Sequence, residues 1–266
     1  MISTEQDTHF SNLESMSTGQ LLRGINDEDK TVPEAVAKAI PSIEKLVDGI
    51  VRRGGRIFYM GAGTSGRLGV VDASEIPPTY GVRDKFTGII AGGDGAFRNA
   101  VEGAEDNALR GVEDIMSHNP TSADTLVGIS ASGGAPYVVE AVKKARSIGM
   151  LTGCICCNED CPLVRESECP VVAVVGPEFV TGSTRMKSGT ATKLILNMIS
   201  TSVMILTGHV QGNKMVDMQL TNRKLVDRGT RMIMEKTGIA DYGTARGMLL
   251  EYGSVRAAVD AYSRNK

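Results

Sequence analysis

Arg56-Ile57-Phe58-Tyr59-Met60-Gly61-Ala62-Gly63-Thr64-Ser65-Gly66-Arg67 decides the fold class. A short apolar run (56–60) reads as a strand, enters a glycine-rich turn (61–66) and gives way to a helical piece reaching Glu75, where Pro77-Pro78 stops it. Strand, tight turn and helix in that order open a parallel β–α unit. Downstream the alternation repeats. Strands are expected at 86–91, 125–130, 150–157 and 171–175, with helical segments at 96–116 and 137–148 between them. A long helix at 184–207 is apolar on most faces, which predicts a central, buried position. Alternation at this spacing predicts an α/β fold: a doubly wound, mostly parallel sheet with flavodoxin-like layering, covered on both faces.

Upstream, Thr31 offers a capping hydroxyl, Pro33 follows in the first turn, and Glu34 adds an acid there. Val36, Ile40, Ile43, Val47 and Ile50 recur at helical spacing, so a helix is expected to about Arg53, bent at Pro41 and ended by Gly54-Gly55. Residues 1–30 carry little periodicity and read as an arm. Beyond about Gly212 the pattern looks purely helical. The expected organisation is an arm (1–30), an α/β domain (31–212) and a C-terminal helical extension (213–266).

The chain has 266 residues with 29 Lys+Arg against 31 Asp+Glu, so there is no basic excess. With aromatics at 4%, a nucleic-acid surface built on phosphate neutralisation and base stacking is not expected. The polar first thirty residues do not resemble a signal peptide. The apolar run at 194–206 is interrupted by Asn197, Ser200, Thr201 and Ser202, short of the ~20 residues of a membrane span. A soluble, cytoplasmic protein is expected. Four of five cysteines (Cys154, Cys156, Cys157 and Cys161) lie within eight residues. Three sit on the expected strand 150–157, where neighbouring side chains alternate between faces, so buried thiols are expected rather than a metal knuckle.

In open parallel sheets ligands bind beyond the carboxyl ends of the strands. Three hydroxyl-rich loops fall there: Gly61-Ala62-Gly63-Thr64-Ser65-Gly66, Ser130-Ala131-Ser132-Gly133-Gly134, and the stretch from Thr181 to Thr190. The first matches G-x-G-x-x-G, yet the second strand ends in Ile90-Ala91-Gly92-Gly93 with no acid for a ribose, which argues against a dinucleotide. No Gly-Lys-Ser/Thr follows, so a Walker loop is excluded. Thr64 and Ser65 at a helix start suit a phosphate monoester instead. A phosphorylated sugar is the favoured ligand, against Thr64, Ser65, Ser130 and Ser132, with Ser183 a further candidate. Glu75 closes the helix that this loop opens. Glu102 and Glu105 stand at i, i+3 in a second acidic knot, either as solvated helix acids or as acid/base groups.

At these residues the chain resembles the N-acetylmuramic acid 6-phosphate etherase family of the sugar-isomerase (SIS) fold. The stretches that carry it are 25–33, 61–69, 72–81, 101–106, 181–187 and 213–217. The resemblance implies a homodimeric lyase that uses no metal or cofactor. It would cleave the D-lactyl ether of N-acetylmuramic acid 6-phosphate to N-acetylglucosamine 6-phosphate and D-lactate in cell-wall recycling. It also implies Glu75 as proton donor and Glu105 as the second acid/base group. The sequence departs from the family pattern at Gly134-Ala135, where Arg-Thr is usual, and ends earlier, so a shortened C-terminal module is expected. Similar sugar-phosphate regulators bind without turnover, and isomerases of the same fold convert aldoses and ketoses; both remain alternatives.

Overall fold

The computed structural model describes residues 3–264. In chain order it begins with α1 (Thr18–Asp29), α2 (Val32–Arg53), β1 (Ile57–Gly61), α3 (Gly63–Ser74), α4 (Ile76–Tyr80) and β2 (Phe86–Ile90). There follow α5 (Gly95–Arg98), α6 (Ala108–Ser117), β3 (Thr125–Ile129), α7 (Pro136–Ser147), β4 (Leu151–Cys156), α8 (Pro162–Glu166) and β5 (Cys169–Val172). The chain continues through α9 (Lys187–Leu206), a small pair β6 (Val210–Gln211) and β7 (Lys214–Met215), then α10 (Arg223–Thr237), α11 (Tyr242–Tyr252) and α12 (Val255–Arg264).

Two compact units result. One runs to Ser74 and resumes over Phe86–Thr201; the other holds Glu75–Lys85 and the chain from Ser202. In the first, five strands pair in parallel in the order β2-β1-β3-β4-β5, the flavodoxin-like order expected of the alternation. β1, β3 and β4 are buried at every position, as strands covered on both faces must be. One face buries Phe58, Met60, Leu126, Cys154 and Cys156 together with Ile115 of α6 and Val138, Ala141 and Val142 of α7. On the other, α3 leans against β1 and β2, and α2 against β4 and β5. The five cysteines are buried and unbridged.

α3 can lie close to β1 because Gly66 has no side chain. A β-carbon there would stand 2.6 Å from the Gly61 carbonyl oxygen and 2.7 Å from Ile90 Cγ1. From above, Asn197 Nδ2 (2.6 Å) and the Ser200 hydroxyl (3.2 Å) donate to Asp72 Oδ1 and tie α3 to α9. Burial pushes the Asp72 carboxyl above its ordinary range despite these bonds. Burial, reinforced by the neighbouring Asp72, does the same to the Tyr59 hydroxyl. Tyr59 Oη and Asp72 Oδ2 are buried without a hydrogen bond of ordinary geometry.

Several local expectations need correction. The first thirty residues are not without regular structure: a capping box between Ser17 and Gln20 starts α1. Thr31 precedes α2 but does not cap it, because its hydroxyl turns back to donate to the Glu28 carbonyl. Pro77 and Pro78 do not merely stop α3; they occupy the first turn of α4, where no donor is lost. β5 begins two residues early and contains Pro170, tolerated because β5 is a sheet edge. The stretch beyond Gly212 is not purely helical, since β6 and β7 pair across it. The second unit also takes in 75–85, which the boundary at 212 omits. There Gln219 N donates to the Pro78 carbonyl, holding that segment to the C-terminal part of the unit.

α9 is also less buried than expected: Met198, Ile205 and Leu206 are exposed. Over its whole length, which exceeds the 194–206 run, it is long and apolar enough to cross a membrane. Its buried residues Ala191, Ile195, Leu196 and Ile199 instead serve the interior of the first unit. In the second unit α10, α11 and α12 bury Met232, Ile233, Leu249 and Val255 around one small core.

Candidate active site

A cavity of about 290 Å³ opens beyond the carboxyl ends of the strands. Only Ala62 separates β1 from α3, so the first-turn N–H groups of α3, which lack intrahelical acceptors, come to the sheet edge with Thr64 and Ser65. Both residues line the cavity, as do Ser130 and Ser132 after β3. The β3 loop is held by its own hydroxyls. Gly133 N donates to Ser130 Oγ (3.2 Å), Gly134 N donates to Ser132 Oγ (3.3 Å), and the two hydroxyl oxygens are 3.4 Å apart.

The third wall comes from the turn before α9 and the start of that helix. Ser183 does not line the cavity. Its neighbours Gly182 and Thr184 do, with Ser188, Gly189 and Thr192. α9 therefore enters the site with its first turns: Ser188, one turn from Thr192, lies within the expected 181–190 stretch though Ser183 is the residue singled out there, and Thr192 lies beyond it. The buried Glu178 accepts from the backbone N–H of Lys187 (2.7 Å) and Ser188 (3.0 Å) and from the Ser188 hydroxyl (2.8 Å). A carboxylate at a helix N-terminus is favoured by the dipole and the free amides. The buried Lys187 ammonium is paired with Glu28 of α1, so α1 is pinned to the start of α9.

A second cavity of about 200 Å³ shares Ala62, Gly63 and Glu105 with the first. The Arg67 guanidinium, on its wall, donates to the carbonyls of Ala96 (2.8 Å) and Phe97 (2.9 Å) and so fixes α5 beside α3. Glu102 lines only this second cavity. The expected helix face shared by Glu102 and Glu105 does not form. Gly103 adopts φ 69°, a left-handed conformation that favours glycine, and Glu105 sits in the 3-10 turn Ala104–Asp106. Glu105 thereby borders both cavities, while Glu75, immediately after α3, lines neither. Both carboxyl groups are exposed. Glu5 is a further lining residue with no signal in the strand–loop pattern.

The sheet order, the glycine turn into α3 and a match over residues 36–146 to the glucokinase regulatory protein N-terminal SIS domain define a SIS-domain protein. A phosphoheptose isomerase from Francisella tularensis shares the fold, with TM-score 0.51 at 16% identity over 70% of this chain and 100% of its own. The N-acetylmuramic acid 6-phosphate etherase of Porphyromonas gingivalis is 58% identical over 262 residues, 97% of this chain and 95% of its own length. That of Bacteroides fragilis is 59% identical over 263 residues, 97% and 93% of the two chains. This chain belongs to the N-acetylmuramic acid 6-phosphate etherase family.

Proposed function

We propose that this chain is the lyase of its family. It cleaves the D-lactyl ether of N-acetylmuramic acid 6-phosphate and yields N-acetylglucosamine 6-phosphate and D-lactate. The observation that carries the reading is a hydroxyl-lined cavity at the start of α3 with Glu105 on its wall. Thr64, Ser65, Ser130 and Ser132 hold the phosphate with the first-turn amides of α3, and Ser183 acts only through the turn it shares with Thr184.

An ether oxygen leaves poorly unless the adjacent carbon can lose a proton. In the open-chain sugar C2–H is α to the aldehyde, and C3 carries the ether. Glu105 takes the C2 proton, the electron pair forms the C2–C3 double bond, and the C3–O bond breaks. Glu75 supplies the proton that the departing lactate oxygen gains. Water then adds at C3 and a proton returns to C2, so the atoms of substrate and water balance those of both products. The chemistry calls on no cofactor or metal. The family's Asp-Ala-Ser-Glu and Glu-Gly-Ala-Glu-Asp motifs support the two assignments, and Glu105 bordering two adjoining cavities supports its share. The three histidines take no part.

Incubation with N-acetylmuramic acid 6-phosphate should release D-lactate. Conversion of fructose or glucosamine phosphates instead would mark an isomerase, and tight binding without turnover a regulator. We also infer a cytoplasmic homodimer that uses the apolar side of α9, where Met198, Ile205 and Leu206 are 38%, 47% and 59% exposed. A monomeric mass by light scattering at micromolar concentration would refute the dimer.

A further inference from the structure

We propose that Glu5 is a substrate-contacting residue of the cavity, accepting hydrogen bonds from the hydroxyl or acetamido N–H groups of the bound amino-sugar phosphate. The identity of that sugar rests on the etherase reading; the placement of Glu5 does not.

Glu5 ends a single 3-10 turn, Ser3–Glu5, far in sequence from the loops it faces. The segment is held by Asn158, a buried side chain just beyond β4 that uses both ends of its amide. Asn158 Oδ1 accepts from Ser3 N (2.6 Å) and Thr4 N (3.3 Å). Asn158 Nδ2 donates to Thr4 Oγ1 (3.1 Å) and to the carbonyls of Ala131 (3.2 Å) and Ser132 (3.1 Å). One amide thus joins the N-terminal turn to the β3 loop. The Ser3 hydroxyl adds a bond to the Cys157 carbonyl (3.1 Å), and Thr4 is fully buried. On the other side Thr8 N donates to Thr181 Oγ1 (3.1 Å) and fastens the segment to the loop before α9.

Glu5 therefore sits between two clamps, each on a loop that shapes the cavity. Its Oε2 lies 3.8 Å from the place a β-carbon on Gly182 would take, and Gly182 also lines the cavity. Ordering a polar surface segment costs conformational entropy. Here the ordered segment delivers one carboxylate to the cavity wall.

The chemistry selects what that carboxylate can meet. An ionised carboxyl group only accepts hydrogen bonds, and it repels a phosphate dianion. The α3 amides and the lining hydroxyls supply donors suited to phosphate. Glu5 supplies the complement, an acceptor for sugar O–H and N–H donors. It should favour a phosphorylated amino sugar over bare phosphate.

The test is calorimetric titration of the full chain, Glu5→Gln and Glu5→Ala with N-acetylglucosamine 6-phosphate and, separately, inorganic phosphate, alongside lactate release. Both variants should bind the amino-sugar phosphate about tenfold or more weakly, as expected for losing a hydrogen bond to a charged group, and inorganic phosphate no more weakly than before, since the charge that repels it is gone. Unchanged affinity for the sugar phosphate, or an equal loss for both ligands, overturns the proposal. Lactate release by a chain whose Glu5 variants bind like the original refutes Glu5 alone. Glu5-dependent binding without lactate release refutes the etherase reading and leaves Glu5 in place.

Discussion

Replacing Gly66 by Ala sets two effects of opposite sign against each other. α3 is a helix, and Ala in a helix interior is worth up to about 1 kcal/mol over Gly. On propensity alone the variant should be the more stable protein. The added β-carbon, however, would lie 2.6 Å from the Gly61 carbonyl oxygen and 2.7 Å from Ile90 Cγ1. Neither neighbour can retreat easily. Gly61 belongs to β1, which pairs with β2 on one side and β3 on the other, and Ile90 is a buried residue of β2. α3 must move instead, and overpacking of this kind costs about 1–3 kcal/mol. The clash should win, leaving a net loss of up to about 2 kcal/mol once the helix gain is subtracted. Because Thr64 and Ser65 ride on the same helix turn, phosphate binding should weaken with stability. Urea denaturation and titration with N-acetylglucosamine 6-phosphate measure the two together. Equal or greater stability with unchanged affinity would refute the close seating of α3 on β1 as the device that forms the loop.

Other outcomes follow from the same structure. Ser65→Ala should weaken binding of N-acetylglucosamine 6-phosphate by about 1–2 kcal/mol, measured by calorimetry, since one hydrogen bond to a charged group is lost. Asp124 should contribute to acid sensitivity. Burial raises its carboxyl, but bonds from Arg56 and Thr121 outweigh burial and hold it below its ordinary value of 3.8. Its stabilising contribution is therefore present above that value and lost as pH falls through the lower folded value. Asp124→Asn should cost about 1–2 kcal/mol at neutral pH and flatten the acid limb of a stability–pH curve measured by urea denaturation.

The sheet was legible because each strand is a short apolar run, and β1, β2 and β3 are closed by glycine or a hydroxyl-rich turn, a local signal. β1, β3 and β4 match their runs to within two residues for that reason. The first two loops were legible on the same grounds, and Thr64, Ser65, Ser130 and Ser132 reach one cavity. α1 escaped notice because none of its residues is buried, so its helical spacing carries no apolar stripe, although Ser17 and Gln20 held the capping signature. The left-handed Gly103 broke an apparent helix that side-chain spacing favoured. Ser188 lay within the 181–190 stretch but was passed over for Ser183, and Thr192 was hidden inside a segment assigned to helix; only the packing of α9 turns them toward the loops. Glu5 depends on bonds from Ser3 and Thr4 to Asn158, 154–155 residues distant along the chain, which no local pattern encodes.

The division of labour between the two glutamates is the centre of the mechanism, and hydrogen exchange at C2 tests it. In deuterated water, with N-acetylmuramic acid 6-phosphate as substrate, Glu75→Gln should lose lactate release yet still exchange the C2 proton, because Glu105 survives as base. Glu105→Gln should lose both, each loss being at least the ~10²–10⁴-fold typical of a removed general acid or base. Exchange retained in Glu105→Gln but abolished in Glu75→Gln would reverse the roles, and near-normal lactate release by both variants would contradict the mechanism itself.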